Sequence, residues 1–93
     1  MGFNLNAQGR YEEAEPLYRK SLEIRERVLG AEHPATAASY NNVGSNLNAQ
    51  GRYEEAETFY LKAAAIFEKS LGSNHPFTVK AKANLEALLD AKN

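Results

Sequence analysis

From Tyr53 onward the apolar residues fall at Ala56, Phe59, Tyr60, Ala63, Ala64, Ile66, Phe67 and Leu71. Steps of three and four mark one face of a helix, whereas a strand would alternate. Gly51 precedes the run, Glu54 and Glu55 occupy its first turn, and Lys69 lies near its end. Acid first and base last suits the helix dipole, and Gly72 supplies a C-terminal stop. The same pattern runs from Tyr11 to Leu29 and stops at Gly30. Between the two lies a shorter apolar face, Ala37, Tyr40, Val43, Gly44 and Leu47, opened by Pro34 and closed by Gln50 and Gly51. Proline fits the first turn of a helix, where its missing N–H is not needed.

The expected order is therefore a stub (about Gly2 to Gln8), a long helix (Tyr11–Leu29), a short one (Ala35–Ala49), a second long one (Tyr53–Leu71) and a final short one (Phe77–Ala91). We term the short helices A type and the long ones B type. The fold class is all-α, with five helices and no strand signal. Turns this short make neighbours antiparallel.

The pattern repeats because the sequence repeats. The stretch from Asn4 to Glu15 returns unchanged as Asn46 to Glu57, a period of 42 residues. The register continues beyond it: Tyr18 with Tyr60, Ile24 with Ile66, Gly30 with Gly72, His33-Pro34 with His75-Pro76, Thr36 with Thr78, and Asn42 with Asn84. Such a chain stacks one helical pair on the next, since a single pair cannot bury its apolar face alone.

A short helix with an aromatic residue and Val-Gly, then a turn glycine, then Tyr and Ala in a second helix resembles the tetratricopeptide repeat. Here those residues are Tyr40, Val43-Gly44, Leu47, Gly51, Tyr53, Ala56, Tyr60 and Ala63. The common period of that family is 34 residues. The longer period and the Leu-Gly-x-x-His-Pro-x-Thr linker are similar to the repeats of kinesin light chains and of many bacterial tetratricopeptide proteins. The resemblance implies antiparallel helix-turn-helix repeats stacked as a short right-handed solenoid. It also implies one domain over 1–93, with a partial first repeat (1–30), a full repeat (35–72) and a capping helix (77–91).

Two departures from the repeat are informative. Lys82 stands where Tyr40 does, and Glu86 where Gly44 does. Gly44 permits close approach of a facing helix and Glu86 does not, so the last helix reads as a cap with a polar outer face. The first repeat lacks most of its A helix and reads as a truncation of a longer array. Ala14 and Ala56 are expected where A and B helices cross.

The resemblance implies a concave groove lined by A helices that binds a peptide or partner protein. In related domains, asparagines at the places of Asn42 and Asn84 contact the ligand. Asparagine can donate and accept at once, which suits a peptide backbone. The candidate binding set is Asn41, Asn42, Ser45, Asn48, Lys82 and Asn84. Lys80 and Lys82 both lie on the last helix, and carboxylate-gripping members of the family use such cations; with one full A helix and a cap, a complete clamp is not expected. Asn46 and Asn48 are read as solvated or bonded to neighbouring helices, although Asn48 stays in the set for its place on the groove face; Asn4 and Asn6 of the stub belong to the same asparagine-rich pattern. The alternative reading is self-association: the first B helix lacks a full A partner, leaving apolar surface at Leu17, Tyr18 and Leu22. Such a patch marks an interaction site or an aggregation liability; two chains cover it by docking end to end or by exchanging helices, giving a homo-oligomer, a dimer being the simplest, through the open N-terminal end.

Composition narrows the chemistry. Eleven basic residues face twelve acidic ones, a net charge of −1, so the basic footprint of a nucleic-acid binder is missing. There is no cysteine, hence neither a disulfide nor a thiolate metal site. His33 and His75 recur one per period without a ligand partner and read as helix caps rather than metal ligands. The five tyrosines read as core with a polar tip. Glu12, Glu13 and Glu15, and their copies Glu54, Glu55 and Glu57, sit where the helix dipole favours acids rather than as a catalytic pair. No nucleophile–base set, phosphate loop or zinc helix motif is found, so neither an enzyme nor a cofactor is expected. Apolar runs are too short for a membrane span. No basic-then-apolar leader opens the chain, and Asn6 stands where a myristoylation signal needs Ser or Thr. The expected location is the cytoplasm.

Overall fold

Each short helix begins at a histidine–proline pair. The Nδ1 of His33 accepts from the Ala35 N–H at 3.0 Å, and that of His75 from the Phe77 N–H at 3.1 Å. An imidazole thus takes the place of the Ser or Asp side chain that usually satisfies the free N–H groups of a helix start. Pro34 and Pro76 are themselves the first helical residues, so each short helix starts one residue earlier than its apolar pattern indicates. Gly30 and Gly72, with φ of 95° and 94°, end the long helices in a conformation that only glycine adopts freely.

The computed structural model describes residues 10–92. It comprises α1 (Tyr11–Leu29), α2 (Pro34–Ala49), α3 (Tyr53–Leu71) and α4 (Pro76–Lys92), with no strand among the described residues. The expected stub over Gly2 to Gln8, with Asn4 and Asn6, lies outside them. Neighbours run antiparallel, as their cross-links demonstrate. Asn46 near the end of α2 donates to the Tyr11 carbonyl at the start of α1 (2.9 Å), whereas Arg25 late in α1 donates to the Ala35 carbonyl at the start of α2 (3.0 Å). Lys92 at the end of α4 reaches Glu57 early in α3 at 2.8 Å.

The core lies where α2 packs between α1 and α3. Ala37, Val43, Leu47, Ala56 and Ala63 are fully buried, with Tyr40, Tyr60 and Phe67 around them. Ala14 and Ala56 are buried as expected. Alanine at such points lets backbones come close, and burying the larger side chains stabilises by about 1.5–3 kcal/mol each. Gly44 carries the closest approach: a Cβ there would stand 2.8 Å from Cδ1 of Tyr60. The Tyr60 hydroxyl then donates to Ser45 Oγ at 3.1 Å.

The two copies of one position need not be equivalent. Thr36 is buried and donates from Oγ1 to the Gly30 carbonyl at 2.8 Å. One period on, Thr78 is just as buried, but its hydroxyl has no partner among the described residues. Losing a satisfied hydroxyl costs about 1 kcal/mol, whereas removing an unsatisfied one is neutral or favourable. Thermal melts should therefore show Thr36→Val destabilised and Thr78→Val unchanged or improved. The reverse order would mean that the Thr78 hydroxyl is the one usefully bonded.

Candidate functional site

Between α2 and α4 lies a hollow of about 170 Å³, lined by Ala38, Asn41, Asn42, Phe67, Phe77, Lys80 and Ala81. The volume suits one side chain and falls short of the 300 Å³ or more usual for a small-molecule site. The wall is aromatic: Phe67 and Phe77 meet at a centroid distance of 5.8 Å, and His75 lies edge-on to Phe77 at 4.8 Å. Phe77 is 56% exposed, an unusual state for a phenylalanine. Asn42 and Lys80 are exposed, and Asn41 is half-buried.

One period earlier the same junction is polar. Arg25, which corresponds to Phe67, donates to the Ala35 carbonyl and to Ser39 Oγ (3.0 and 3.1 Å), while Ala35 corresponds to Phe77. The aromatic wall is thus specific to the second copy. The hydrophobic pattern hides it, because Phe67 falls in the apolar run of its long helix and Phe77 opens the last helix. A signal was present: these are two positions where the copies disagree in chemical type.

The predicted binding residues are only partly brought together. Asn84 Nδ2 donates to Asn41 Oδ1 at 3.2 Å, and Asn42 is adjacent. Ser45 is exposed but accepts from Tyr60 on α3, and Asn48, half-buried, lies nearer the end of α2. Lys82 is displaced from the set. It pairs with Glu68 on α3 at 3.3 Å and lines a different hollow, with Leu61, Ala64 and Leu85. Hydrogen bonds from Ser73 and Lys82, with the Lys82 charge, hold the Glu68 carboxyl below its ordinary value. Lys80 is the lysine on the groove side, since two residues along a helix turn a side chain through about 200°. Of the self-association residues, Leu17 is 67% exposed and Tyr18 half-buried against the core, but Leu22 is only 7% exposed and belongs to the core. Leu22 lies about 140° around α1 from Leu17, on the side that packs inward. The open face of α1 is instead Leu17, Ile24 and Val28.

Asn46 is fully buried and structural. It accepts from Gln50 at 2.7 Å while donating to Tyr11. Around it Glu15 takes hydrogen bonds from Gln50, Arg19 and Arg52, the last two at 2.7 Å. Burial alone pushes the Glu15 carboxyl up, but these hydrogen bonds and the Arg52 charge outweigh it and hold the group low. Tyr40 donates to Glu26; burial, with that bond and charge, pushes its phenol up to about 12. Among the described residues no group of three or more His, Cys, Asp or Glu is placed to hold a metal ion, and no helix is long and apolar enough to cross a membrane.

The tetratricopeptide repeat family model matches residues 1–69 and again residues 39–93. The chain belongs to the tetratricopeptide repeat family. No curated protein matches it. Tetratricopeptide repeats are in general protein–protein interaction modules, and the family is a non-enzymatic scaffold family. The A helices of this tetratricopeptide chain are α2 and α4, and the groove between them is its candidate interaction surface.

Proposed function

We propose that this tetratricopeptide chain binds an extended peptide segment of a partner protein in the α2–α4 groove. The observation that carries the reading is the pairing of an exposed Phe77 with Asn42 and Lys80 around a hollow the size of one side chain. One apolar side chain of the ligand fills the hollow against Phe67 and Phe77. The Asn42 amide bonds the ligand backbone, donating and accepting at once. A carboxylate on the ligand faces Lys80. Asn41 and Asn84 hold each other at 3.2 Å and keep the two A helices in register. On this reading 1–93 is one domain whose last A helix, α4, acts as ligand wall and cap, and its period is that of the longer, kinesin-light-chain-like repeats.

The test is selection from a random peptide display library, followed by titration of the winning peptide. Asn42→Ala should weaken binding about three- to tenfold, the value of one or two net hydrogen bonds, with the melting temperature unchanged because the side chain is exposed. Equal affinity for mutant and parent removes Asn42 from the site. A second reading is favoured by a separate observation: Leu17, Ile24 and Val28 form one exposed apolar face of α1. On it the chain self-associates through this face. Leu17 stays in that set, Tyr18 borders it, and Leu22 leaves it.

A further inference from the structure

The internal repeat supplies a template for what covers the α1 face. Shifted one period, Leu17, Ile24 and Val28 correspond to Phe59, Ile66 and Ser70 of α3, of which Phe59 and Ile66 pack against the core beside Ala63 and Ser70 is exposed. Ala63 is fully buried, and Tyr40 packs on Phe59 at a centroid distance of 5.9 Å. A B-type face of this kind therefore accepts an A-type helix. Shifted one period, the covering face of α2 (Tyr40, Val43, Leu47) becomes Lys82, Leu85 and Leu89 of α4. Leu89 is exposed there, as is Leu61 of α3, which lines a hollow with Lys82 and Leu85. The outermost of the described helices, α1 and α4, thus present parts of the two halves of the interface that α2 and α3 form with each other.

We propose that copies of this chain associate head to tail, α4 of one seating on α1 of the next. The inference rests on the self-association reading and names the partner surface. Period-shifted contacts support the fit. Within one copy Arg19 lies over the Phe59 ring at 5.3 Å; across the seam that pair becomes Leu61 and the next copy's Leu17, two exposed apolar side chains. Within one copy Arg52 pairs with Glu15 at 2.7 Å; across the seam the pair is the next copy's Arg10 and Glu57, again opposite charges, which within each copy also pair with Glu13 and Lys92. Two contacts oppose it. The Tyr40–Phe59 ring contact becomes Lys82, which pairs with Glu68, against the next copy's Leu17. Glu86 replaces Gly44, so the next copy's Tyr18 cannot sit as deep as Tyr60 does, where ring atoms come within 2.9 Å of the glycine's Cβ direction. The seam is therefore weaker than the internal interface, with association expected between about 10 µM and 1 mM. Because the surfaces differ, the contact is heterologous and grows without closing.

Sedimentation velocity on the 93-residue chain tests this. Leu17→Glu blocks the α1 face and Leu89→Glu the α4 face; Leu61→Glu replaces the latter if circular dichroism shows that Leu89→Glu is unfolded. The parent should form a concentration-dependent ladder of species. Each variant alone should be monomeric, and their equimolar mixture should give a dimer and nothing larger, because only one competent pair of faces remains. If Leu17→Glu is monomeric while Leu89→Glu and Leu61→Glu still dimerise, the faces pair α1 to α1: self-association stands and the head-to-tail arrangement falls. A parent that is monomeric up to 1 mM, or variants that associate as the parent does, overturns both.

Discussion

Gly44→Glu is expected to remove the cooperative thermal transition, or to lower its stability by more than about 4 kcal/mol, whereas Glu86→Gly should change it by about 1 kcal/mol or less. The two substitutions exchange one repeat position between the copies. At Gly44 the facing ring of Tyr60 is 3% exposed and its hydroxyl is tied to Ser45, so the ring has nowhere to go. A Cβ would stand 2.8 Å from it, and the carboxylate beyond would be driven into the core without a cation. Burying an unpaired charge costs several kcal/mol, a large part of the 5–15 kcal/mol that keeps a domain folded. Glu86 is exposed on α4 and pays only the helix preference of its residue type. A Gly44→Glu chain melting within about 5 °C of the parent, on the scale of 4–8 °C per kcal/mol for this size, would mean that α2 and α3 do not meet at this point.

Asn46→Ala is expected to cost about 2 kcal/mol, roughly 8–16 °C in melting temperature. Asn46 is fully buried and joins the start of α1 to the end of α2 through Tyr11 and Gln50. Truncation removes its hydrogen bonds and leaves a void. The repeat provides a control, since Leu88, fully buried, occupies the same position in α4. Asn46→Leu refills the space without the bonds and should cost about half as much. If the leucine variant matched or exceeded the parent, the amide would contribute nothing to stability and the Gln50–Glu15–Arg52 network would be held by its charges alone.

The helix boundaries were legible because the chain states them twice. Tyr11–Leu29 and Tyr53–Leu71 are found as expected, whereas α2 and α4 start one residue earlier, at their prolines, and α4 ends one residue later, at Lys92. Proline carries no apolar signal, so a reading led by hydrophobic period began at Ala35 and Phe77. The site was less legible. Either Lys80 or Lys82 fits the groove by charge, but the two point to opposite sides of α4, and charge alone does not say which side faces it. Leu22 reads as open because its helix lacks a full A partner in the sequence, yet it and its repeat partner Ala64 are both 7% exposed. Angular position around the helix, compared between copies, separates the open residues from the buried ones. The aromatic wall of Phe67 and Phe77 arises from divergence between the copies, which a search for repetition passes over.

The order in which the helices pack has a kinetic consequence. Each helix rests mainly on its neighbour in sequence, α1 on α2, α2 on α3, and α3 on α4. Loops of three or four residues separate them, so little chain entropy is lost before a native contact forms. Chains dominated by such local contacts fold in microseconds to milliseconds. The α2–α3 pair, which holds Val43, Leu47, Ala56 and Ala63 wholly inside, is the natural nucleus, with α1 and α4 adding from either side. In native-state hydrogen exchange the amides of α2 and α3 should then exchange last, and those at the outer ends of α1 and α4 first.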